Sequence, residues 1–520
     1  MFNIWLIHTE SFHTRVISHL TNMGIQVSYI CTTPEQINRL KATNPAYILH
    51  SLWDAMLGLP PDSLKDKSTP SPPSAALLEQ LSLYESIALS MFERMNYQGL
   101  RVQDLRHYYL KYLSCWLDLI RVNRPDAVLF QSAPHMGYDY VLYALCQVCG
   151  IKTLIVERTY LPDRLILIEK IEKMPLPESH QAQEGGLRET PGSFHPSNAE
   201  MLTEEPAETV GDLLNYYDVR NRPYQFKRKF RSAKIQLLNE LWVMIAQPGK
   251  LFVWKLVKQF SKLFKPVRIS IYGLSNPQPW LIKHLWHLWR DSIYRISLML
   301  LYEFHTEPPD FDDQYVFFAL QYQPERSSNP LGGVFVDQLL ALKIMTHSLP
   351  KGWSIYVKEH PRQFTNDFAP SIRLSRSKRF YESIYRNGKI RLMSPSESSD
   401  DLIRHSRCVA TVAGTTGWEA VQRGIPAIVF GNPWYVNCPG VYRVSSTDQC
   451  AKVLESIASG HIHVDQDEVA SYIQELISTA TFRGYFGDFF ERDSSLTIEE
   501  NARSYAEIVA AQLSADHKRS

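Results

Sequence analysis

Apolar runs closed by polar loops recur along this chain, most plainly between Trp353 and Asn432. The stretch reads W-S-I-Y-V-K-E-H-P, then I-R-L-M-S-P, then C-V-A-T-V-A-G-T-T-G-W-E-A-V-Q-R-G-I-P-A-I-V-F-G-N. Each run is short and ends in a loop rich in His, Ser, Thr or Gly. The third loop, Ala413 to Gly417, opens directly into a helical pattern, and a further strand-like run over Ala427 to Phe430 follows Gly-Ile-Pro. Strand, polar loop, helix, strand is the order of a parallel α/β sheet, whose ligands sit at the carboxyl ends of the strands.

The first part of the chain repeats that order. Asn3 to His8 is strand-like, Ser11 to Met23 is amphipathic, and Gly24 leads into the strand Ile25 to Ile30. A Pro/Ser-rich insert at Ser68 to Ser74 precedes helical periodicity from Ala75 to about Val122. Asp126 to Gln131 predicts a buried strand with the loop Ser132 to Gly137. The helix Tyr138 to Cys149 stops at Gly150, and Ile151 to Val156 returns to strand. A second α/β body begins near Tyr315 and continues to about Ser446, followed by helices near Thr447 to Ser459, Asp467 to Ser478 and Thr497 to Leu513. The expected division is a Rossmann-like N-terminal domain (1–172), a polar acidic linker (173–225), a basic and aromatic helical segment (226–310), a second Rossmann-like domain (311–465) and C-terminal helices (466–520).

Composition narrows the class. At 520 residues, two domains that each bury a core are expected. A formal net charge of +1 supplies no global reason for nucleic-acid binding. Seven scattered cysteines, an odd number, argue against a disulfide framework and for a reducing cytoplasm. The opening residues lack the basic and apolar regions of a signal peptide, and no apolar run is long enough for a spanning helix. Charge is uneven locally. The chain from about Lys173 to Asp212 is polar and Glu-rich, whereas Phe226 to Arg268 is crowded with Lys and Arg against the single acid Glu240. Lysines between Lys250 and Lys265 alternate with Trp254, Phe260 and Phe264. Such a segment either lies on an anionic membrane surface or packs on the protein with a solvated basic face.

The candidate chemistry sits in the strand-end loops. His360-Pro361 follows the strand Ile355 to Lys358, and the proline fixes the turn, so His360 stands at the sheet's rim. An imidazole there can donate to a phosphate or carboxylate, although an isolated His-Pro is more often a plain turn. Thr415 and Thr416 open a helix beside Gly414 and Gly417. A helix start with glycines and hydroxyls suits an anion, while Thr416-Gly417-Trp418-Glu419 also reads as a capping box. Glu419 is thereby open to capping or to holding ribose. These loops together point to an activated nucleotide as substrate. Cys146-x-x-Cys149 falls within a helix and reads as buried thiols, and the run Trp280 to Trp289 with His284 and His287 reads as packing. In the first domain His8, Glu10, His135, Asp139, Glu157 and Arg158 all lie at strand ends, and spacing does not choose among them.

Y-V-K-E-H-P (356–361) with T-V-A-G-T-T-G-W-E-A-V-Q-R-G-I-P-A-I-V-F-G (411–431) resembles bacterial capsule and surface-polysaccharide biosynthesis proteins, the capsule Kdo transferases among them. The upstream A-L-Q-Y-Q-P-E-R-S-S-N-P-L-G-G-V-F-V-D-Q (319–338) is similar to the segment before the Lys-x-His-Pro strand in that family. The resemblance covers about Tyr315 to Ser446. It implies a GT-B-like pair of Rossmann-like domains facing across a cleft. It also implies a glycosyltransferase that moves a CMP-activated acidic sugar, such as Kdo or a nonulosonic acid, to a glycan or lipid-linked acceptor. Such enzymes often need no metal and no cofactor beyond the nucleotide-sugar donor. The donor residues expected on this reading are Lys358, His360, Ser394, Gly414, Thr415, Thr416, Gly417 and Glu419, with His360 also a catalytic candidate. The chemistry separately needs a carboxylate near the anomeric carbon, as general base or nucleophile, and Asp139 or Glu157 of the first domain is expected to supply it. The alternatives are a CDP-glycerol-type polyol-phosphate transferase and a non-catalytic export or scaffold protein of the same fold. The expected location is cytoplasmic, on the inner face of the membrane if the basic segment meets lipid.

Overall fold

A computed structural model describes residues 2–9, 12–43, 47–65, 71–94, 96, 100–175, 280–323, 328–364, 375–485 and 494–517. The acidic linker beyond Pro175 and the basic segment Lys250 to Lys265 lie outside the described residues, as do Glu10 and the side chains of His284 and His287. No described helix is long and apolar enough to cross a membrane.

The first sheet contains β1 (Asn3–Thr9), β2 (Gln26–Thr32), β3 (Ile48–Ser51), β4 (Ala127–Phe130), β5 (Lys152–Arg158) and β6 (Arg164–Ile168). Strand β4 is buried on both faces, so it reads as a continuous apolar run. Helices α1 (His13–Asn22), α2 (Pro34–Thr43) and α3 (Leu52–Met56) follow the first three strands. The helical run from Ala75 is three helices, α4 (Ala75–Gln80), α5 (Ser82–Arg94) and α6 (Val102–Val122). It breaks where the Asn96 amide bonds both the N–H and the C=O of Leu100, and α6 restarts on a capping box between Arg101 and Asp104. Helix α7 (Tyr138–Cys149) ends, as expected, on Gly150 in the left-handed region.

Helix α8 (Trp280–Phe304) leads into the second body, where Leu298, Met299 and Tyr302 are buried. Its sheet contains β7 (Tyr315–Ala319), β8 (Ser354–Lys358), β9 (Ile390–Met393), β10 (Cys408–Thr411), β11 (Ala427–Val429) and β12 (Val441–Arg443), all parallel. Between the strands run α9 (Gln338–Ser348), α10 (Lys378–Tyr385), α11 (Ser399–Arg404) and α12 (Thr415–Val421). After α13 (Thr447–Ala458) and α14 (Gln466–Thr479), the chain returns to the first sheet. There β13 (Thr481–Arg483) pairs antiparallel with β6, and α15 (Ile498–His517) packs on α1. The residues expected as C-terminal helices therefore complete the first body. Ala502, Tyr505, Ala506, Val509 and Leu513 form an apolar stripe at helical spacing that shares a core with Val16 and Leu20.

The strand orders are β13-β6-β5-β4-β1-β2-β3 and β12-β11-β10-β7-β8-β9. Both bodies are thus mostly parallel, doubly wound sheets, the architecture that the strand–loop–helix repeat predicts. Hydrogen bonds join them: Asn432 Nδ2 donates to Ile171 O at 2.7 Å, and Asn329 Nδ2 donates to Ser90 Oγ at 2.7 Å.

Candidate functional site

In the second sheet the chain moves outward from β7 in one direction through β8 and β9, and from β10 in the other through β11 and β12. The carboxyl ends of β7 and β10 flank that switch point, where open α/β sheets leave a crevice. Lys358 and His360 at the end of β8, Ser394 after β9, and Gly414 to Gly417 with Glu419 after β10 all stand on this side. Buried glutamine amides stitch the loops together. Gln321 N donates to Gln338 Oε1 at 2.8 Å, Gln338 Nε2 donates back to Gln321 O at 3.1 Å, and Gln321 Oε1 accepts from Ala413 N at 3.0 Å. Gln363 and Gln323 exchange the same pair of bonds. Where the ladder ends, these side chains satisfy backbone groups that burial would otherwise leave unpaired.

His360 rests on an ion pair that sequence reasoning missed. Glu359 is fully buried, and its carboxylate accepts from Arg376 Nε at 2.7 Å, Tyr381 Oη at 2.8 Å and the His360 N–H at 2.8 Å. Tyr302 Oη accepts from Glu359 N at 2.9 Å and donates to Met393 O at 2.8 Å, so one phenol from α8 ties the ends of β8 and β9. The imidazole of His360 packs against the Tyr322 ring, with centroids 5.7 Å apart. Burial, then the charges of Arg362, Lys358 and Arg376, pull its pKa down to about 4. At pH 7 the ring is neutral. Its Nδ1 accepts from the Arg362 N–H at 3.2 Å, which places the ring proton on Nε2. His360 is thus a neutral N–H donor and not an imidazolium.

One of the cations beside His360 is Lys358. Its Nζ donates to Glu397 O at 2.6 Å and to Ser399 Oγ at 2.7 Å, and burial lowers its pKa to about 8. Ser394 Oγ shares a 2.7 Å hydrogen bond with Ser396 Oγ on the more exposed edge. Helix α12 starts two residues earlier than a Thr416 cap requires. Gly414 is its N-cap, without a side-chain cap bond, and Thr415 Oγ1 instead donates to Glu419 Oε1 at 3.1 Å, one helical turn on. The expected capping box is replaced by this pair, and burial raises the Glu419 pKa against the opposing pull of Thr415 and Arg423. The glycines have a packing cause. A Cβ on Gly414 would stand 2.8 Å from Thr411 Oγ1, and one on Gly417 would stand 2.5 Å from the Tyr435 hydroxyl, which itself bonds Gly414 O.

In the first body, Asp139 and Glu157 are both buried and both hold the loop after β4. Asp139 accepts from the N–H groups of His135, Met136 and Tyr140, at 3.1, 2.8 and 2.7 Å, while Glu157 Oε2 accepts from Ala133 N at 3.3 Å. The Arg158 guanidinium lies over the Tyr160 ring. A Cβ on Gly137 would press into the Phe92 ring of α5, the helix whose Ser90 meets Asn329 of the second body. The β4 loop and the second body's Asn329 loop therefore lie against the same helix.

Two Asp-x-Asp spacings occur, and neither is at this rim. Asp310 and Asp312 form a turn ahead of β7, and Asp465 caps α14 by accepting from Asp467 N. Among the described residues no group of three His, Cys, Asp or Glu side chains is placed to hold a metal. The thiol of Cys146 is buried, as its helical setting predicts, whereas Cys149, expected to be buried as well, is only half-buried at the last residue of α7.

Residues 313–485, the second body with its following helix and strand, match the family of capsule polysaccharide biosynthesis proteins. No curated protein matches the chain. Among solved structures, the chain is similar to the β-Kdo 2,7 transferase of Thermosulfurimonas dismutans KpsC at 11% identity, with 79% of this chain and 97% of that one covered and a TM-score of 0.28. The β-Kdo 2,4 transferase of the same KpsC shares 14% identity over 63% of this chain and 79% of that one, with a TM-score of 0.24. A Methanocaldococcus jannaschii UDP-GlcNAc 2-epimerase shares 12% over 91% and 98%, with a TM-score of 0.23. Overlaps of this size carry no argument about chemistry.

Proposed function

We propose that this chain, which through residues 313–485 carries the pattern of the capsule polysaccharide biosynthesis proteins, is a glycosyltransferase of surface-polysaccharide synthesis that uses a CMP-activated acidic sugar such as Kdo or a nonulosonic acid. The observation that carries this reading is the convergence of the Lys358 ammonium and the N–H donor of His360 beside a switch point. Lys358 brings the charge for a phosphate, and the Nε2–H of His360 brings direction. Thr416, released from capping, adds a hydroxyl, and Glu419 stands one turn inside α12 for the ribose. The Ser394 loop flanks the base. The acceptor is a growing glycan, reached at the membrane surface if the lysines between Lys250 and Lys265 meet anionic lipid, a placement that vesicle flotation reads.

The charge on Lys358 supplies the test. Its ammonium form attracts the nucleotide's phosphate, and its neutral form does not. Affinity for CMP is therefore expected to fall as pH rises through about 8, the pKa that burial imposes, by up to about tenfold per pH unit for one proton. Titration calorimetry of CMP between about pH 7 and pH 9 reads this. Lys358→Met should bind weakly throughout and lose the slope. A wild-type affinity that is flat across that range would remove Lys358 from the phosphate site.

A further inference from the structure

Helix α8 is apolar on two opposite faces, and the second body covers one of them. Arg295, Leu298, Met299 and Tyr302 are at most 5% exposed and share one side of the helix. That side holds the donor rim from behind. Arg295 Nη1 donates to Phe364 O at 2.8 Å, the Tyr294 hydroxyl donates to Arg376 O at 3.4 Å, and Tyr302 takes the Glu359 N–H. At 3.6 residues per turn, Ile293, Leu300 and Phe304 fall on the far side, where they are 43, 41 and 85% exposed, with the half-buried Ile296 between them. Steps of three and four residues make these a continuous stripe along the helix. Counted back at the same spacing, the sequence continues it with Trp289, Trp286 and Ile282. A contiguous apolar face of this kind marks a contact surface.

Charge selects the occupant. Residues 241–290 contain no Asp or Glu, whereas six Lys or Arg fall between Lys250 and Arg268 and two more, Lys283 and Arg290, lie within α8. Acids gather past the other end of the helix, where Glu307 and Asp313 meet Arg391. A cationic approach to an apolar stripe rich in Trp and Phe is the pattern of a helix lying in the plane of an anionic membrane. Indole rings settle at the headgroup level of such a surface. The helix lies on the bilayer, since no described helix is long and apolar enough to cross one.

We propose that the outward face of α8 seats on an anionic lipid surface and holds the donor rim beside it. Ile293, Leu300 and Phe304 enter the boundary between headgroups and acyl chains, and the surplus of positive charge draws the helix to the headgroups. The contacts to Glu359 and Phe364 leave from the opposite side of the same helix. The His360 loop therefore stands one helix diameter, about 10–12 Å, from the lipid. A lipid-linked acceptor has only that distance to reach the donor, a consequence that rests on the glycosyltransferase reading, whereas the docking itself does not.

The test uses the full chain, vesicles of phosphatidylcholine with and without phosphatidylglycerol, and the double variant Leu300→Glu with Phe304→Glu, two exposed positions whose change leaves the core intact. Wild type is expected to float with the mixed vesicles at low salt, weakly with phosphatidylcholine alone, and less as salt rises. The double variant should bind mixed vesicles at least about tenfold more weakly, because burying one large apolar side chain is worth that factor or more. Its melting temperature and CMP affinity should stay near wild type. A polarity-sensitive dye on Phe304→Cys should shift to the blue when mixed vesicles are added, which reads contact at this face directly. Equal flotation of wild type and double variant, or no wild-type flotation at low salt, would overturn the membrane face. So would a wild-type dimer in light scattering that the double variant breaks, since a second copy would then cover the stripe. A double variant that melts well below wild type, with no vesicle binding by either, would show that the stripe packs within the chain and would overturn it too. A wild type that floats but binds no CMP would overturn the donor reading and leave this face standing.

Discussion

Replacing Arg376 with methionine is expected to cost about 3–5 kcal/mol of stability, the range for removing one partner of a buried ion pair. Glu359 would remain in a site with no solvent exposure, still accepting from Tyr381 and the His360 N–H but without its counter-ion. Dispersion contacts of the methionine replace little of that, because the loss is the uncompensated charge. Urea denaturation reads the effect as a lower midpoint with an unchanged slope. Adding Glu359→Gln should recover part of the loss, since a neutral amide no longer needs the guanidinium. If Arg376→Met costs less than about 1 kcal/mol, the pair is not the anchor of the His-Pro loop. The packing of α10 through Tyr381 would then have to hold it.

The second large effect concerns His360. Its Nε2–H is a neutral donor, and hydrogen bonds to charged groups contribute about 1.5–3 kcal/mol. His360→Ala is therefore expected to weaken CMP binding by about ten- to hundredfold while the chain stays folded. The fold should survive because the ion pair beneath contributes its own bonds, and the histidine's backbone N–H, which Glu359 accepts, is kept in the variant. His360→Asn should retain part of the affinity if its amide reaches the same phosphate. A folded His360→Ala variant with wild-type affinity would show that the histidine only shapes the turn.

Much of the architecture was legible because it is written in local signals. The strands β7, β8 and β10 are continuous apolar runs, and α7 is bracketed by Gly137 and Gly150, so their places and the α/β class follow from pattern alone. The run from Ala75 to Val122 conceals its breaks, since no proline interrupts it and the stop at Asn96 is made by a side chain bonding Leu100. Strand β13 is only three residues and gains its partner β6 from the far end of the chain, a pairing that no local pattern announces. The site divides the same way. Lys358, His360 and Thr415 stand in motifs visible in one reading, and the structure places them around one switch point. Arg376 reaches Glu359 across 17 residues, and buried glutamines such as Gln321 and Gln363 run against the usual expectation that glutamine is exposed. The capping register failed for a related reason. Tyr435, distant in sequence, occupies the space beside Gly417 and bonds Gly414, which favours a start at Thr415.

The central claim is that the rim formed by Lys358, His360 and Thr416 is a nucleotide-sugar site with cytidine monophosphate as its leaving group. Calorimetric titration of the purified full chain with CMP, CDP and UDP in parallel tests it most directly. The account predicts saturable binding of CMP, with CDP and UDP weaker by at least about tenfold, or 1.4 kcal/mol. Preferential binding of CDP or UDP would contradict CMP as the leaving group, and binding of none of the three would contradict a nucleotide site at this rim altogether.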